Sequence, residues 1–397
     1  KGKATTKVFG WADTRSRDSV AILRNKFDES AVHSRTGARF HSSFWPAKLS
    51  WIKKGSPDNW KNTAQWLSFS DLLALRLLDD STTSVSMASA TGIFDIRQCL
   101  WDVELLRYLK LKPSSLPRIA SDSQTFSLNQ KFKKRWPRLQ DSQWSPAIGD
   151  GAANNIGAGC LQKHKAALMI GTSGAMRVAY KGSPPDKIPD GLWCYRIDRE
   201  RVIMGGALSD GGGLYGWLKS HLRLAEDDDK TEIEIAKRPP AGHGLIFLPF
   251  LAGERSTGYH EDATGAILGL RASTDTIDIV QAALESVAYR FAEIFDQLNK
   301  VCRIRDIVAS GGALRQSPVW TQIIADVLGR NMSLPDTREA SSRGAVLLTL
   351  ETIGKIENIA QINTPKGVKF SSDKLKQRIH ARARKESAGA YQKILDQ

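Results

Sequence analysis

Two stretches of the chain place apolar residues at helical spacing. In DIVQAALESVAYRFAEIFDQL, apolar residues return every three or four positions and share one face: Ile279, Ala283, Val287, Phe291 and Ile294. The segment TAQWLSFSDLLALRLLDD, residues 63–80, carries leucines near the same spacing. This period predicts two helices, of which the first is strongly amphipathic.

Short apolar runs that stop at glycine predict strands followed by tight turns. Ala166–Ile170 is such a run and ends at Gly171, and Ile307–Ala309 leads into Gly311–Gly312. After the second turn, Ser317–Pro318 has the residue types of a helix N-cap and first position. Strands that alternate with helices indicate an α/β fold.

Tryptophan is concentrated in the first part of the chain. Of the 11 tryptophans among 397 residues, eight precede residue 145: Trp11, Trp45, Trp51, Trp60, Trp66, Trp101, Trp136 and Trp144. The length exceeds that of one ordinary domain, and the shift in composition indicates two domains with different roles. We expect most of these tryptophans to lie in the core, with one or two facing a ligand.

The excess of positive charge has two interpretations. The net charge is +15, which suits either a nucleic-acid surface or a site for small anions. Nine of the basic residues lie between Lys366 and Lys393, where we expect an exposed helical tail. Because no nucleic-acid-binding motif accompanies the charge, a solvated basic surface is favoured over nucleic-acid binding.

Cysteine, histidine and hydropathy patterns exclude several classes of protein. The four cysteines form no CxxC pair and the seven histidines no HExxH motif, so we expect free thiols and no protein-built transition-metal site. The longest apolar run, Leu245–Ala252, contains a proline and is too short to span a bilayer. With no signal-peptide pattern at the start, these features predict a cytoplasmic protein without a membrane anchor.

Three glycine-rich turns are candidates for phosphate binding. They span Gly149–Gly159, Gly171–Gly174 and Gly311–Gly312. Glycine lets backbone N–H groups approach a ligand closely, and phosphate oxygens are bound well by such donors. Neither a GxxxxGK[ST] P-loop nor a strand-linked GxGxxG is present, which excludes the usual forms of both. Each turn taken alone is equally consistent with an ordinary turn.

An isolated carboxylate, Asp150, lies in the stretch IGDGAANNIGAGC, residues 148–160, where nearly all neighbours are small. Bare backbone on both sides allows two ligands to approach the same carboxylate. In that setting a carboxylate can accept the proton of a substrate hydroxyl. The alternative is that Asp150 caps a helix that begins near Ala152.

Four motifs, taken in order, resemble the FGGY family of sugar kinases, whose two domains have the actin/RNase H-like ATPase fold. GDGAANNIG matches the family's catalytic G-D-x-x-A-x-x-x-G motif, and GTSG resembles its second phosphate turn. SGGALRQSPVWTQIIADVLG is similar to the adenosine turn. LPFLAGERS followed by GAILGLRASTDTIDIVQAALE resembles the signature of the second domain. The resemblance extends to about Glu351 and implies a two-domain α/β kinase.

The resemblance implies a role for each candidate residue. Asp150 would act as general base and would hold Mg²⁺ through water. The nucleotide would be bound by residues of the glycine-rich turns: Gly171, Thr172, Ser173, Gly174, Gly212, Gly311, Gly312, Ala313 and Gln316. The candidates for sugar binding, besides Asp150, are Trp11, Asp13, Arg15 and His41. Arg15 is equally a candidate for a structural ion pair, and Glu254 and Arg255 are expected to be structural residues at the domain interface.

Within the family, the likeness is strongest to the gluconokinase branch. WADTRS, TGARFHSSFWPAKLSWI, IGTSGAMR and WCYRID with VIMGGALSDGGG all resemble that branch. The implied reaction is the phosphorylation of D-gluconate to 6-phosphogluconate, with ATP and Mg²⁺. The alternatives are another sugar kinase of the family, for xylulose or a related polyol, and a catalytically inactive sugar- or nucleotide-binding relative.

The resemblance also implies a domain plan. Residues 1–158 would form the N-terminal sugar-binding domain, residues 159–355 the nucleotide-binding domain, and residues 356–397 a basic helical tail. The family's first strands and their D-x-G-T phosphate motif do not occur in the chain, so we expect the N-terminal domain to be incomplete. A segment preceding Lys1 is favoured over a degenerate relative, because the downstream motifs are intact. The expected partners are a sugar or sugar acid and ATP; the oligomeric state stays open, with a homodimer as candidate.

Overall fold

A seven-stranded mixed β-sheet organises the second half of the chain in the computed structural model, which describes residues 2–224 and 228–395. The strands of the described residues, in chain order, are β1 (Phe94–Asp95), β2 (Leu100–Trp101), β3 (Lys165–Ile170), β4 (Gly174–Lys181), β5 (Trp193–Arg196), β6 (Arg201–Leu208), β7 (Ile246–Leu248), β8 (Ala266–Leu268), β9 (Asp306–Ser310), β10 (Met332–Pro335) and β11 (Gly367–Phe370). The pairs β1–β2 and β7–β8 form small antiparallel ribbons of their own.

Helices cover both faces of this sheet and are the main regular elements of the first half of the chain. In the same described residues they are α1 (Arg17–Lys26), α2 (Glu29–Thr36), α3 (Trp45–Gly55), α4 (Pro57–Asn62), α5 (Phe69–Leu78), α6 (Val85–Ser89), α7 (Val103–Leu109), α8 (Gln130–Arg135), α9 (Asp150–Gly157), α10 (Gly212–His221), α11 (Asp228–Lys237), α12 (Thr276–Cys302), α13 (Gly312–Gln316), α14 (Pro318–Leu328), α15 (Ala340–Thr352) and α16 (Lys374–Leu395). Short 3-10 turns occur at Pro113–Ser115, Pro137–Leu139 and Ile359–Gln361.

The strand order of the large sheet is β11-β10-β9-β3-β4-β6-β5. Strands β3, β9 and β10 run parallel to one another, whereas β4, β6, β5 and the edge strand β11 pair in antiparallel fashion. The two strands expected from the apolar runs are confirmed as β3 and β9, and parallel neighbours joined through helices confirm the α/β class. The parallel pair has a direct consequence: both predicted glycine turns leave the sheet at the same edge.

The 27-residue helix α12 forms the core on one face of the sheet. It begins with a capping box between Asp275 and Asp278, and it contains the helix expected from the apolar spacing. Phe291 is fully buried against β4, where a Cβ atom at Gly174 would lie 2.6 Å from the Phe291 ring. Gly174 therefore serves the packing of α12, because only a glycine lets the ring approach the strand this closely.

The opposite face of the sheet carries α9 and α15, which approach each other through glycine. A Cβ atom at Gly157 of α9 would lie 1.7 Å from the carbonyl oxygen of Ala340, and one at Gly344 of α15 would lie 1.8 Å from that of Ala153. These distances are far inside van der Waals contact, so the two helix backbones touch and any side chain would separate them. This packing fixes α9, and with it the helix's first residue, Asp150.

The first part of the chain has a separate, smaller core built mainly by helices α1, α3 and α7 around residues such as Leu23, Phe40 and Leu105. Of its eight tryptophans, Trp66 is buried, Trp11 is exposed and the other six are half-buried. The expectation that most of them lie in the core is therefore wrong. Trp45, Trp51, Trp60 and Trp101 pack at the rim of this core, because a small core cannot enclose so many large rings.

Direct hydrogen bonds join the first part of the chain to the large sheet. The Cys194 N–H of β5 donates to the carbonyl oxygen of Gly37 at 2.8 Å, and a Cβ atom at Gly37 would collide with that strand. The His33 ring nitrogen Nε2 lies 2.8 Å from the Leu192 carbonyl oxygen. The guanidinium of Arg17 contacts Asp262 at 2.6 Å. Residues far apart in sequence thus meet along one interface.

The segment 356–397, expected as a basic helical tail, contributes more than a helix. Strand β11 extends the sheet by pairing with β10, and helix α16 packs on α14 and α12. His380 of α16 is buried beside Tyr289, and the Tyr391 hydroxyl donates to Glu254 at 2.8 Å. The described part of this segment, up to Leu395, is therefore joined to the fold of the second half of the chain.

Candidate active site

Three glycine turns meet at one edge of the large sheet. Strands β3 and β9 run parallel and end at Ile170 and Ser310, immediately before Gly171 and Gly311. Strand β6 ends at Leu208, which pairs with the first residue of β4 at the same edge. The turn after β6, SDGGG, therefore joins the other two.

Gly212 lies between the other two turns. A Cβ atom added there would be 2.6 Å from the Gly171 carbonyl oxygen and 2.9 Å from the Cβ atom of Ala313. The Gly212 N–H donates to the same Gly171 carbonyl at 2.8 Å, and the N–H groups of Gly211 and Gly213 donate to the Thr172 carbonyl at 3.1 and 2.9 Å. The backbones touch directly, which leaves no space for a side chain at this position.

The third turn depends on a conformation that favours glycine. Gly311 has φ = +100°, and a Cβ atom there would lie 2.1 Å from the Ile170 carbonyl oxygen. Gly312, next to it, faces open space and is exposed, as is Gln316 at the end of α13. Thr172 is exposed as well, whereas Gly174 is buried under α12. The three turns that carry the predicted nucleotide residues thus meet at the end of strands β3, β6 and β9, whereas Gly174 belongs to the core.

Asp150 is the first residue of α9, and Gly149 is its N-cap. The capping interpretation is therefore wrong, since Asp150 lies one position inside the helix and its Oδ1 accepts from the neighbouring Gly151 N–H at 2.6 Å. The carboxylate is exposed. Helix α9 leads through a short loop into β3 and packs against β4, where Gly151 lies over the side chain of Arg177. An exposed carboxylate at a helix start can accept a proton from a bound hydroxyl.

Two of the predicted sugar-binding residues are bound to each other. The Arg15 guanidinium contacts the Asp13 carboxylate at 2.5 Å and stacks near the rings of Phe9 and Trp51. The hydrogen bond from Arg15 lowers the pKa of Asp13 to about 2. Lys48 also donates to the Asp13 carbonyl oxygen at 2.9 Å. This geometry favours the interpretation of Arg15 as a structural ion-pair partner.

His41 is buried at the interface between the two halves of the chain. Its Nδ1 accepts from the Ser43 N–H at 3.0 Å, and its Nε2 lies 3.7 Å from Glu261. Burial lowers the pKa of His41 to about 3, and the positive charge of Arg255 lowers it further. The imidazole is therefore neutral at physiological pH and is suited to hydrogen bonding with hydroxyl groups.

We expect His41 to make the unfolding free energy depend on pH. Folding lowers the pKa of this group from 6.5 to about 3, so between these values the unfolded chain binds a proton that the folded chain does not. Stability from this group is thus lost as the pH falls below 6.5, by about 2 kcal/mol at pH 5. Urea unfolding at pH 7, 6 and 5 should show a smaller loss for His41→Gln than for the wild type.

The control for this pH experiment is His164→Gln, which removes an exposed imidazole. Equal pH slopes for the wild type and His41→Gln would contradict a neutral, buried His41. If the pH dependence of the unfolding free energy changed equally in both variants, the change would follow from the loss of any imidazole and not from the burial of His41.

Two arginines near Asp150 were missed as site residues by sequence reasoning. Arg177 lies on β4, where its Nε is 3.0 Å from the position of a Cβ atom on Gly151. Arg255, which was expected to be structural, lies with its guanidinium 5.1 Å from the Trp11 ring centre. Its neighbour Glu254 is structural, since it is buried and bound by Arg290 and Tyr391. A charged residue inside the apolar strand AMRVA was the available signal for Arg177.

No cluster of three or more potential metal-ligating side chains occurs in residues 2–224 and 228–395. A divalent cation at Asp150 would therefore depend on ligand oxygens for most of its coordination. Across the described helices, none has the length and apolarity needed to cross a bilayer.

Comparison with known proteins agrees with this geometry. The profile of the FGGY family of carbohydrate kinases, N-terminal domain, matches residues 1–156, and that of the C-terminal domain matches residues 166–351. A gluconokinase of Bacillus licheniformis is 27% identical over 406 residues, covering 99% of this chain and 77% of the relative. A xylulose kinase of Staphylococcus xylosus is 28% identical, covering 88% of this chain and 72% of the relative.

Solved structures share the fold. A gluconate kinase from Lactobacillus acidophilus superimposes with a TM-score of 0.89 at 24% identity, covering 97% of this chain and 79% of the other. A ligand-bound xylulose kinase from the same organism gives a TM-score of 0.90, also at 24% identity, over 98% of this chain and 79% of the other. The two-domain sugar-kinase fold is confirmed, and the matched profiles span most of the sequence. The chain belongs to the FGGY family of carbohydrate kinases.

Proposed function

We propose that this chain transfers the γ-phosphoryl group of ATP to D-gluconate, giving ADP and 6-phosphogluconate, with Asp150 as general base. The observation that carries the proposal is an exposed carboxylate, Asp150, at the start of a helix that packs on the sheet whose three glycine turns converge. The gluconokinase among the relatives supports the choice of sugar.

In this mechanism Asp150 accepts the proton of the 6-hydroxyl group as its oxygen attacks the γ-phosphorus. A new O–P bond forms, the bond from the γ-phosphorus to the bridging oxygen breaks, and ADP leaves with that oxygen. Because α9 is held against α15 by backbone contact at Gly157 and Gly344, the carboxylate is positioned before the substrate arrives.

The nucleotide is assigned to the surface of the three glycine turns. Exposed Thr172 supplies a hydroxyl donor, and the glycines at 171, 212 and 311 keep side chains off this surface, so a phosphate can approach the turns closely. Gly312 and Ala313 face the adenosine, with exposed Gln316 at its border. Mg²⁺, held by phosphate oxygens and through water by Asp150, would neutralise charge on the transferring group.

The sugar is assigned to the interface between the two halves of the chain. Exposed Trp11 offers a ring face, and the neutral His41 offers a hydrogen-bonding group. Asp13 and Arg15 are paired with each other and shape this region rather than bind the sugar with free charges. In this proposal residues 1–158 form the sugar-binding domain and residues 159–355 the nucleotide-binding domain. The two domains close on the bound substrates and thereby exclude water.

Gly212→Ala is expected to raise the KM for ATP at least tenfold. The added Cβ atom would lie 2.6 Å from the Gly171 carbonyl oxygen and would force two of the glycine turns apart. The effect on the KM for the sugar should be smaller, because the substitution lies in the turn assigned to the nucleotide. Steady-state kinetics with each substrate varied in turn would measure both constants.

The matched control is Gly216→Ala, four residues along α10, where an added Cβ atom meets nothing within 4 Å. This variant should keep the KM for ATP of the wild type. A KM for ATP that stays normal in Gly212→Ala would remove this turn from the nucleotide site.

A second candidate, a kinase for xylulose or a related neutral polyol, is favoured by a specific observation. The xylulose kinase structure matches the chain as well as the gluconate kinase structure does, and the sequence identities are equal at 24%. The two candidates differ in one chemical feature of the substrate, since gluconate carries a carboxylate and xylulose does not.

The experiment that tests the proposal measures ADP release from Mg-ATP by the full-length protein with D-gluconate, D-xylulose, glycerol and related polyols. Turnover on gluconate with the highest kcat/KM supports the proposal. Preference for xylulose or glycerol replaces the substrate and keeps the reaction. Binding of ATP with no turnover on any acceptor would indicate the inactive relative instead.

A further inference from the structure

Arg177 is an almost fully buried cation with free hydrogen-bond donors. The residue is 7% exposed, its Nη1 is buried without a partner, and its side chain forms no hydrogen bond to any residue in 2–224 or 228–395. The side-chain stem crosses Gly205 of β6, and the guanidinium lies beneath Gly151, next to Asp150 in sequence. The arginine therefore reaches from the middle of the sheet to the flank of the proposed general base.

Arg255 is a second cation beside the same strand, because its neighbour Ser256 donates its N–H to the carbonyl oxygen of Ala207 in β6 at 3.0 Å, two residues along from Gly205. It lies between the two halves of the chain, and its guanidinium faces the exposed ring of Trp11 at 5.1 Å. Burial has the largest effect on the pKa of Arg177, His41 and Tyr195, and the positive charge of Arg255 lowers the pKa of all three as well. Arg255 is thus within electrostatic reach of both Arg177 and the sugar-side residues.

Neither arginine has a counter-ion among the residues that the structure describes. Over the described ranges, no carboxylate oxygen lies within 4.0 Å of either guanidinium, and Asp150 attracts Arg177 only from beyond that distance. The other interface arginines are paired: Arg17 with Asp262 and Arg39 with Glu29. Two nearby cations of which one is buried are unfavourable without an anion, and burial lowers the pKa of Arg177 to about 10.

We propose that Arg177 and Arg255 form a carboxylate-binding subsite that selects a sugar acid over a neutral sugar. This inference rests on the proposed function and names the residues of that site that read the substrate's charge. Guanidinium groups bind carboxylates through paired hydrogen bonds, and both arginines retain their donors. The site discriminates because a neutral sugar leaves the positive charge of Arg177 buried without an anion beside it.

The neighbours of the two arginines assign the bound anion to the sugar rather than to the nucleotide. Arg255 touches Trp11 and acts on His41, which both belong to the first half of the chain. The phosphate-binding candidates form a separate surface of backbone groups around Gly171, Gly212 and Gly311. A carboxylate held by the arginines would place the chain of hydroxyl groups between them and Asp150.

The test compares D-gluconate with D-glucitol, which replaces the carboxylate by a neutral hydroxymethyl group. We expect Arg255→Gln and Arg177→Met each to lower the ratio of kcat/KM for gluconate to that for glucitol at least tenfold. Arg255→Lys and Arg177→Lys should restore part of the ratio, because the charge returns without the paired donors. Calorimetric binding of gluconate without ATP should weaken by a similar factor, and thermal unfolding would report whether each variant folds.

The control for general charge effects is Arg271→Gln, which removes one exposed cation that has no ion pair in the described residues. It should leave the gluconate-to-glucitol ratio of the wild type. An equal fall of kcat with gluconate and with a neutral acceptor in Arg177→Met would assign the arginine to the transferring phosphoryl group and overturn the proposal.

The subsite and the proposed reaction can fail separately. Normal gluconate kinetics and binding in folded arginine variants would overturn the subsite while the gluconate kinase reaction stands. A wild type that phosphorylates xylulose but is inhibited competitively by gluconate, with inhibition weakened in Arg255→Gln, would support the subsite and refute the reaction. Absence of any gluconate binding to the wild type would overturn both.

Discussion

Asp150→Asn is expected to lower kcat about a thousandfold while the protein stays folded and still binds ATP. Asparagine keeps the shape of the side chain and cannot accept the hydroxyl proton, and general-base catalysis contributes about 10²–10⁴ in rate. Folding should be unaffected, because the carboxylate is exposed and its described hydrogen bond is to the adjacent Gly151 N–H. The measurement is steady-state ADP release with the preferred acceptor, together with calorimetric titration of ATP.

Asp141→Asn is the matched control for this loss, since it removes an exposed carboxylate that precedes α9 by nine residues. It should keep the wild-type kcat. Retention of more than a tenth of the activity in Asp150→Asn would remove Asp150 from the role of general base. Loss of ATP binding together with activity would instead indicate that the carboxylate acts on the nucleotide.

Gly344→Ala is expected to lower the free energy of unfolding by roughly 3 kcal/mol, at the upper end of the usual cost of overpacking. The methyl group would lie 1.8 Å from the Ala153 carbonyl oxygen, so helices α9 and α15 must move apart. The same movement displaces Asp150, the first residue of α9, and kcat should therefore fall as well. Urea unfolding followed by circular dichroism and steady-state kinetics would measure the two effects.

The same substitution in open space gives the control. Gly389 lies in the exposed middle of α16, and a Cβ atom there meets nothing within 4 Å. Gly389→Ala should therefore raise stability by about 0.5–1 kcal/mol through helix propensity alone. If both variants had equal stability, direct backbone contact between α9 and α15 would be refuted.

Local patterns in the sequence were sufficient for much of the fold. The runs that became β3 and β9 ended at glycine where predicted, and the helix of residues 318–328 began at the Ser317 cap and ended at Gly329. These features depend on neighbours within a few positions, which is the range over which propensity, capping and periodicity act. The motif likeness added the domain plan, which no local pattern contains.

Contacts between residues that are distant in sequence could not be predicted from these local patterns. Arg15 and Arg255 have equally ordinary sequence surroundings, yet the first is paired with Asp13 and the second has no carboxylate within ion-pair distance in the described residues. Whether a charge is paired depends on which segments meet in space, and Trp11 and Arg255 meet across 244 positions (255 − 11). The role of Gly174 in packing α12 was missed for the same reason, because Phe291 is remote in sequence.

The placement of Arg177 between two glycines has a consequence for the evolutionary record of the family. The stem of this arginine passes Gly205, and its guanidinium occupies the space that a side chain at Gly151 would need. The three positions are therefore expected to change together: descendants that keep the arginine should keep small residues at the other two, and lineages that lose it are free to enlarge them. Such linked substitution would let selection for charged or neutral sugars be followed through an alignment before any enzyme in it is assayed.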